Sequence, residues 1–434
     1  MALNTDQQQA LRRICNWYRG NEMYFLLDGA GGTGKSYLVN EVLKNIKSIP
    51  LLLSPTNEAL KQLKDKTEGD YEFRTIHSAL GLAPTTTEKD IKFEHIAIPS
   101  LWDDFNLAVV DEVSMVDNWA IELLISIGIK ILYLGHGSQL PPVKTNLSVF
   151  DKCVSPVFEK GYPTTKLTIP MRNVGKLWEF NNLIEETIYS KDRRIPNDFD
   201  IDRANMLQYL DSPQGKDELL HGETKIVLYT NGGVDRYNNI VRDKLFGSSA
   251  KSKYLSGDKV ILIQPLTEIN ELERYSDLAL KRAMNKEHAK HYANTKAEVY
   301  SCKEVVIKLN NSLHIPCYKI EVKTDEGMSQ FYECIDSNDY LKISTYYEHL
   351  AWGKHTKKDK DKAYKEKHFI LSCFANIKHY YAATAHRLQG ASIPKVKVIF
   401  NDIAKCGNPI LKQKLLYVAC SRAINDLGIY RGML

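Results

Sequence analysis

No apolar run among the 434 residues reaches the ~20 positions that a helix needs to cross a bilayer. The N-terminus, with Asn4, Asp6 and the glutamines at 7, 8 and 9, lacks the apolar core of a secretory signal. A soluble, cytoplasmic protein with no membrane partner is therefore expected. Cysteine is sparse: the eight positions 15, 153, 302, 317, 334, 373, 406 and 420 include no C-x-x-C pair, so neither a zinc site nor a disulfide framework is indicated. Charge of one sign is also nearly missing, since 58 Lys and Arg against 53 Asp and Glu leave a net +5, too even to indicate a nucleic-acid partner unaided. There is no internal repeat, and no acidic cluster outside Asp111-Glu112 that would suggest a nuclease. The remainder, 43% hydrophobic and 26% charged, is ordinary globular composition, with room for roughly two to four domains.

Against that background one motif stands out. Residues 29 to 36 read Gly29-Ala30-Gly31-Gly32-Thr33-Gly34-Lys35-Ser36, a complete G-x-x-x-x-G-K-[ST] phosphate loop. It follows the apolar run Tyr24-Phe25-Leu26-Leu27 and precedes a helical pattern carried by Tyr37, Leu38, Val39, Val42 and Leu43. Glycines let successive backbone N–H groups turn toward phosphate oxygens, Lys35 adds positive charge at the β and γ groups, and the Ser36 hydroxyl can ligate Mg²⁺. ATP and Mg²⁺ are the expected cofactors.

Such a loop needs a carboxylate at the end of a neighbouring strand. Leu107-Ala108-Val109-Val110-Asp111-Glu112 supplies two. Asp111 would hold Mg²⁺ and Glu112 would orient and deprotonate the attacking water, although acidic pairs at strand ends also occur as plain loop starts. Apolar runs at 24–27, 50–54, 107–110 and 130–134, with a helix at 57–65, predict a parallel sheet flanked by helices. The threonine-rich, partly alternating stretch 83–98 reads as a small hairpin. A second α/β set begins near 167, with a strand at 225–229 and a helix from Val234 to Leu245, and resumes at 396–400. Residues 254 to 376 interrupt it with strand-like runs at 259–263, 304–309 and 318–322. They also hold a segment, 351–368, whose seven lysines against three acids read either as a solvated helix or loop or as a DNA-facing or mobile tail.

Several further segments, in order, resemble superfamily 1B helicases, most of all the Dda-type phage helicases and their RecD and Pif relatives. Asp111-Glu112-Val113-Ser114-Met115 is similar to motif II, and Gly135-His136-Gly137-Ser138-Gln139-Leu140-Pro141-Pro142-Val143 to motif III, written G-D-x-x-Q-L-P-P-V. Ser54-Pro55-Thr56-Asn57-Glu58-Ala59 resembles motif Ia and Thr75-Ile76-His77-Ser78 motif Ib. Ala383-Thr384-Ala385-His386-Arg387-Leu388-Gln389-Gly390-Ala391-Ser392 resembles motif V, and Leu416-Tyr417-Val418-Ala419-Cys420-Ser421-Arg422-Ala423 motif VI.

The resemblance implies a set of roles. The catalytic set is Lys35, Asp111, Glu112, Gln139, Arg172 and Arg422, with Gln139 sensing the γ-phosphate and the two arginines answering negative charge on the γ-phosphoryl oxygens. Gln7 would read the adenine edge, with one donor and one acceptor face, while its plainer reading is a helix cap. The loop Gly29 to Ser36 and Gly390 would complete the nucleotide site. Pro55, Thr56, His77, Ser78, Thr384, His386 and Ser392 would contact DNA through phosphates and sugars, hence without sequence preference. His77 and His386 read equally as buried structural histidines, lone arginines as surface ion-pair partners, and Phe93 either as a wedge at the duplex junction or as packing for its own hairpin.

The implied architecture is α/β, with two RecA-like P-loop lobes: 1–166, with a pin hairpin inserted at 78–100, and 167–253 joined to 377–434. An SH3-like or tower insertion occupies 254–376. Two departures from the pattern stand out: His136 where motif III has Asp, and Asn294-Thr295-Lys296-Ala297-Glu298-Val299 where the inserted domain should have an N-G-[DE] turn. The implied activity is ATP-dependent translocation on single-stranded DNA, 5′ to 3′ by subfamily membership, with unwinding of forked duplex. The implied protein is a monomer, in the bacterial host cytoplasm if phage-encoded, with a single-strand-binding protein or replisome component as a candidate partner. Two alternatives stay open: a DNA-stimulated translocase that remodels protein–DNA complexes without unwinding, and an ATP-gated DNA clamp.

Overall fold

A computed structural model describes residues 3–86, 91–95, 100–142, 148, 153–171, 175–190, 206–274, 284, 288, 290–309, 313–353 and 356–432. Side chains of 83–86, 91–95, 100, 357, 358 and 361 lie outside that description. Arg172 and the side chain of Phe93 are therefore outside the described residues. The chain divides into two compact units, Met1–Gln208 with Glu223–Val234 and Ala383–Leu434, and Tyr209–Gly222 with Asp235–Ala382.

In the first unit the runs read as strands form a sheet. Strands β1 (Tyr24–Gly29), β2 (Pro50–Ser54) and β3 (Glu72–Thr75) come first, then the antiparallel hairpin β4 (Leu82–Thr86) and β5 (Ile91–His95), then β6 (Leu107–Val110), β7 (Lys130–Gly135) and β8 (Thr164–Leu167). Sheet order is β3-β2-β6-β7-β1-β8, and every pairing is parallel. The inner strands β1, β2, β6 and β7 are largely apolar because both faces are covered, while the outer β3 and β8 carry Glu72, Arg74, Thr164 and Lys166. Phe25, Leu27, Leu52, Val109, Leu132 and Leu134 pack with Ala10, Ile14, Leu38 and Val42 of helices Thr5–Arg19 and Lys35–Asn45. The alternate residues Leu26, Leu51, Leu53, Ala108, Val110, Ile131 and Tyr133 pack with Ile76, Ala79, Ile121 and Leu124 of helices Ile76–Ala79 and Asn118–Ser126. This is the two-residue alternation of a strand buried on both sides.

The same unit holds a second parallel sheet. Strands β9 (Thr224–Leu228), β18 (Ile393–Ile399) and β19 (Ala423–Tyr430) pair in parallel, and β17 (Ala382–Thr384) completes the order β17-β9-β18-β19. The expected mixed α/β architecture with two parallel sheets is present.

The second unit is built on an antiparallel sheet. Strands β10 (Lys259–Leu262), β13 (Lys296–Lys308), β14 (His314–Thr324), β15 (Gly327–Cys334) and β16 (Ile377–His379) run in the order β15-β14-β13-β10-β16, beside the short pair β11 (Leu266–Thr267) and β12 (Lys290–His291). Asn294, where the sequence departs from N-G-[DE], takes a left-handed φ of 71° just before β13, a conformation that asparagine tolerates better than most residues. Much of the lysine-rich stretch lies in the helix Lys357–Ser372, with Lys360, Lys362 and Lys365 exposed.

Candidate active site

The turn from β1 into helix Lys35–Asn45 is where the sequence motif becomes a cradle. Gly34 is left-handed, with φ 83°, and a Cβ there would run into the Gln7 side-chain amide. Within the loop, Thr33 Oγ1 donates to the Ala30 carbonyl at 2.9 Å and Lys35 Nζ to those of Gly29 and Ala30 at 2.5 and 3.2 Å. Gln7 takes the helix-cap reading and not the adenine-edge one, because both ends of its amide are engaged within the fold. Its Oε1 accepts from the Asn4 backbone N–H, completing a capping box, while its Nε2 donates to the Thr33 carbonyl at 3.2 Å, so this fully buried side chain cements the N-terminal helix to the loop. The segment before Arg172 docks alongside: Met171 N–H donates to the Gly32 carbonyl at 2.8 Å, and Asp6 accepts from the Thr168 hydroxyl and from the N–H groups of Thr168 and Ile169.

A cavity of about 380 Å³ opens over the loop. Its walls hold Lys35, Ser36, Asp111, Glu112, Gln139 and Arg422, the five described members of the catalytic set together with the serine. Asp111 follows the end of β6, its N–H donating to the Leu53 carbonyl, and its carboxylate accepts from the Glu112 N–H at 2.9 Å. Burial, then the neighbouring Glu112 charge, push its pKa up to about 6 against the pull of Lys35. A carboxylate so burdened beside a hydroxyl from Ser36 fits a hard divalent cation, with phosphate oxygens completing the donor set. Glu112 itself sits at a left-handed φ of 49°, and its Oε2 is buried with no hydrogen-bond partner among the described residues. Strain and an orphaned acceptor oxygen together mark a group held ready for a ligand or water. A Cβ on Gly390 would stand 3.7 Å from its other oxygen, and Gly390, Ala391 and Ser392 line the same cavity.

Arg422 is buried at the end of helix Pro409–Cys420. It donates from Nε to the Val418 carbonyl, from Nη1 to Ala391 and from Nη2 to Ser421 Oγ, which aims the guanidinium at Gly31, whose Cβ would lie 3.5 Å from Nη2. Gln139 accepts at 3.0 Å from the Ser114 hydroxyl, and Ser114 accepts at 3.0 Å from Gln389 Nε2. Motifs II, III and V are thus joined by two buried hydrogen bonds.

The comparisons agree with this geometry. A family model described as an AAA domain matches residues 11–145. The ATP-dependent DNA helicase dda of Enterobacteria phage T4 is 23% identical over 448 aligned positions, covering 98% of each chain. Among solved structures, a Pif1 helicase from Bacteroides in complex with ADP-AlF3 and ssDNA superposes with a TM-score of 0.53 at 16% identity, covering 99% of this chain and 92% of that one. A Pif1 structure described as the basis for DNA unwinding at forked dsDNA gives 0.54 with the same identity and coverage. The chain is thus similar along nearly its whole length to a phage Dda helicase and shares its fold with Pif1 helicases.

The residues matched to DNA contacts occupy turns. Thr56 caps helix Asn57–Lys66 by accepting from the Ala59 N–H, next to a half-buried Pro55. Thr384 caps Ala385–Leu388 in the same way, and Ser78 and Ser392 are exposed. His77 and His386 are half-buried, and burial lowers both pKa values, so each ring is neutral at physiological pH. The His386 ring centroid lies 6.2 Å from that of Tyr229.

His136, the departure in motif III, is enclosed by acids. Its Nδ1 is 2.8 Å from Asp28 Oδ1 and its Nε2 is 3.0 Å from Glu185 Oε1. Burial alone would lower its pKa, but the hydrogen bond to Asp28 and the charges of both carboxylates outweigh it and hold the value above that of an ordinary histidine. Lys414, fully buried, donates from Nζ to the carbonyls of Gly137 and Gln139 at 2.5 and 3.2 Å, and burial depresses its pKa to about 8. Sequence reasoning missed Asp28, Ser114, Glu185, Gln389 and Lys414. The available signal was a lysine set among Leu411, Leu415, Leu416 and Val418 on an otherwise apolar helix face.

Among the described residues no helix is long and apolar enough to cross a membrane, and no group of three or more His, Cys, Asp or Glu could hold a metal.

Proposed function

We propose that the protein is an ATP-dependent DNA helicase that moves 5′ to 3′ on single-stranded DNA and opens forked duplex with the β4–β5 hairpin as its pin. The observation that carries this reading is the single cavity that gathers Lys35, Ser36, Asp111, Glu112, Gln139 and Arg422. The phosphate-loop N–H groups and Lys35 bind the triphosphate. Ser36 and Asp111 would hold Mg²⁺, which would supply positive charge against the phosphates. Glu112 orients and deprotonates the attacking water, Gln139 senses the γ-phosphate, and Arg422, with Arg172, stabilises charge spreading on the transferred group.

Because Gln389, Gly390 and Arg422 belong to motifs V and VI, a change of state at the γ-phosphate reaches the segments that carry Thr384 and His386. With Pro55, Thr56, His77, Ser78 and Ser392 these take the DNA backbone. The domain reading remains two RecA-like lobes, 1–166 and 167–253 with 377–434, around an SH3-like insertion at 254–376. The protein acts as a monomer in the cytoplasm, a bacterial host's if phage-encoded, with single-strand-binding or replisome proteins as candidate partners.

Phosphate release with and without single-stranded DNA, followed by unwinding of forks carrying only a 5′ or only a 3′ tail, tests the reading. DNA-stimulated release and preference for the 5′ tail are expected. A preference for the 3′ tail overturns the polarity, release without unwinding supports the translocase alternative, and absence of hydrolysis overturns the enzyme.

A further inference from the structure

The motif III turn is held by buried charge from three directions. Asp28 closes β1 immediately before Gly29, and its Oδ1 meets His136 Nδ1 at 2.8 Å. Glu185, on helix Lys176–Thr187, lies 3.0 Å from His136 Nε2 and also accepts from the Ser138 hydroxyl at 2.9 Å. From helix Pro409–Cys420, Lys414 holds the carbonyls of Gly137 and Gln139. The His136 side chain is only 5% exposed, and among the described residues the charged or titratable groups around the cluster include Lys166, 3.9 Å from Asp28 Oδ2, Tyr417, whose ring centroid is 5.9 Å from the imidazole, Tyr189 and Cys153 beside Lys414, and Glu186 in the wall of the cavity that His136 and Glu185 line. Two carboxylates this close and this buried repel unless a cation lies between them, and removing one member of such a group leaves uncompensated buried charge.

The family pattern has an acid at this position. Here an acid would make a third carboxylate between Asp28 and Glu185. The inversion of charge at 136 is therefore matched by the residues on either side of it, and the matched group spans the start of the phosphate loop and the turn that ends in Gln139.

We propose that His136 is a positioning residue for ATP turnover: bridging Asp28 and Glu185, it fixes the motif III turn against the phosphate loop so that Gln139 faces the nucleotide. It touches neither nucleotide nor metal and acts through Gln139. The inference rests on the hydrolysis reading above and sharpens it, since restoring the family's aspartate should harm this protein.

The test compares H136N with H136D, side chains of one size that differ in charge, in the full chain, by steady-state phosphate release with single-stranded DNA and by binding of a fluorescent ATP analogue. Expected is a kcat at least about tenfold lower for H136D than for H136N, with nucleotide affinity in both within about threefold of wild type, and partial recovery of kcat in H136D/E185Q. Equal kcat for H136N and H136D, or no recovery in the double variant, overturns the bridge while leaving hydrolysis by wild type intact. No phosphate release by wild type would overturn both readings together. Should H136D fail to fold, E185Q tests the bridge by itself, because a normal kcat in that variant also overturns it.

Discussion

Gln389 donates a 3.0 Å hydrogen bond to the Ser114 hydroxyl, which in turn donates to Gln139. One hydroxyl therefore links the motif V turn, the segment that carries Asp111 and Glu112, and the proposed γ-phosphate sensor. Ser114→Ala removes both bonds and leaves two buried amides to find other partners, at a cost of about 1–3 kcal/mol. The expected outcome is a marked loss of DNA stimulation of the ATPase with a smaller change in the DNA-free rate. Rates measured with and without a saturating oligonucleotide check it; an unchanged ratio would remove the relay from the coupling path.

Arg422 is aimed at the phosphate loop by hydrogen bonds to the Val418 and Ala391 carbonyls and the Ser421 hydroxyl. Arg422→Ala should cut phosphate release by about a hundredfold or more while nucleotide binding persists, whereas Lys35→Ala should abolish hydrolysis. Filter binding beside turnover separates the two. Normal turnover in Arg422→Ala would end its proposed role.

Lys414 titrates near 8 in the folded protein, below its ordinary value of 10.5, because burial penalises the ammonium. Between those values the unfolded chain keeps a proton that the folded chain has released, so this residue's contribution to stability rises with pH across the window. The unfolding free energy of wild type relative to Lys414→Met should therefore climb by about 3 kcal/mol from pH 7.5 to 10.5. Urea midpoints across that range measure it, and a flat difference would show that the amine is not held charged against burial.

The β4–β5 hairpin provides the test of the pin. Phe93→Ala is expected to lower strand separation at a fork several-fold while leaving DNA-stimulated phosphate release unchanged, as a wedge that does no chemistry would. Unimpaired unwinding would make Phe93 packing for its own hairpin.

The phosphate loop and the strand leading into Asp111 were legible in the sequence. Each depends on local backbone conformation and side-chain periodicity, which neighbours along the chain dictate. In the first sheet β1, β2, β6 and β7 appeared where apolar runs predicted them, because a strand covered on both faces is largely apolar, whereas the outer strands β3 and β8, with Glu72, Arg74, Thr164 and Lys166, carry no such run. Gln7 was ambiguous in sequence because an amide suits an adenine edge as well as a helix cap, and only the fold, by bringing Thr33 within reach of its nitrogen, decided for the cap. Tertiary structure alone decided that His136 would sit between Asp28 and Glu185, that Lys414 would be buried against motif III, and that Ser114 would join Gln139 to Gln389. These contacts join residues from about 25 to nearly 280 positions apart, and nothing local encodes which side chains parallel strands and packed helices will bring together.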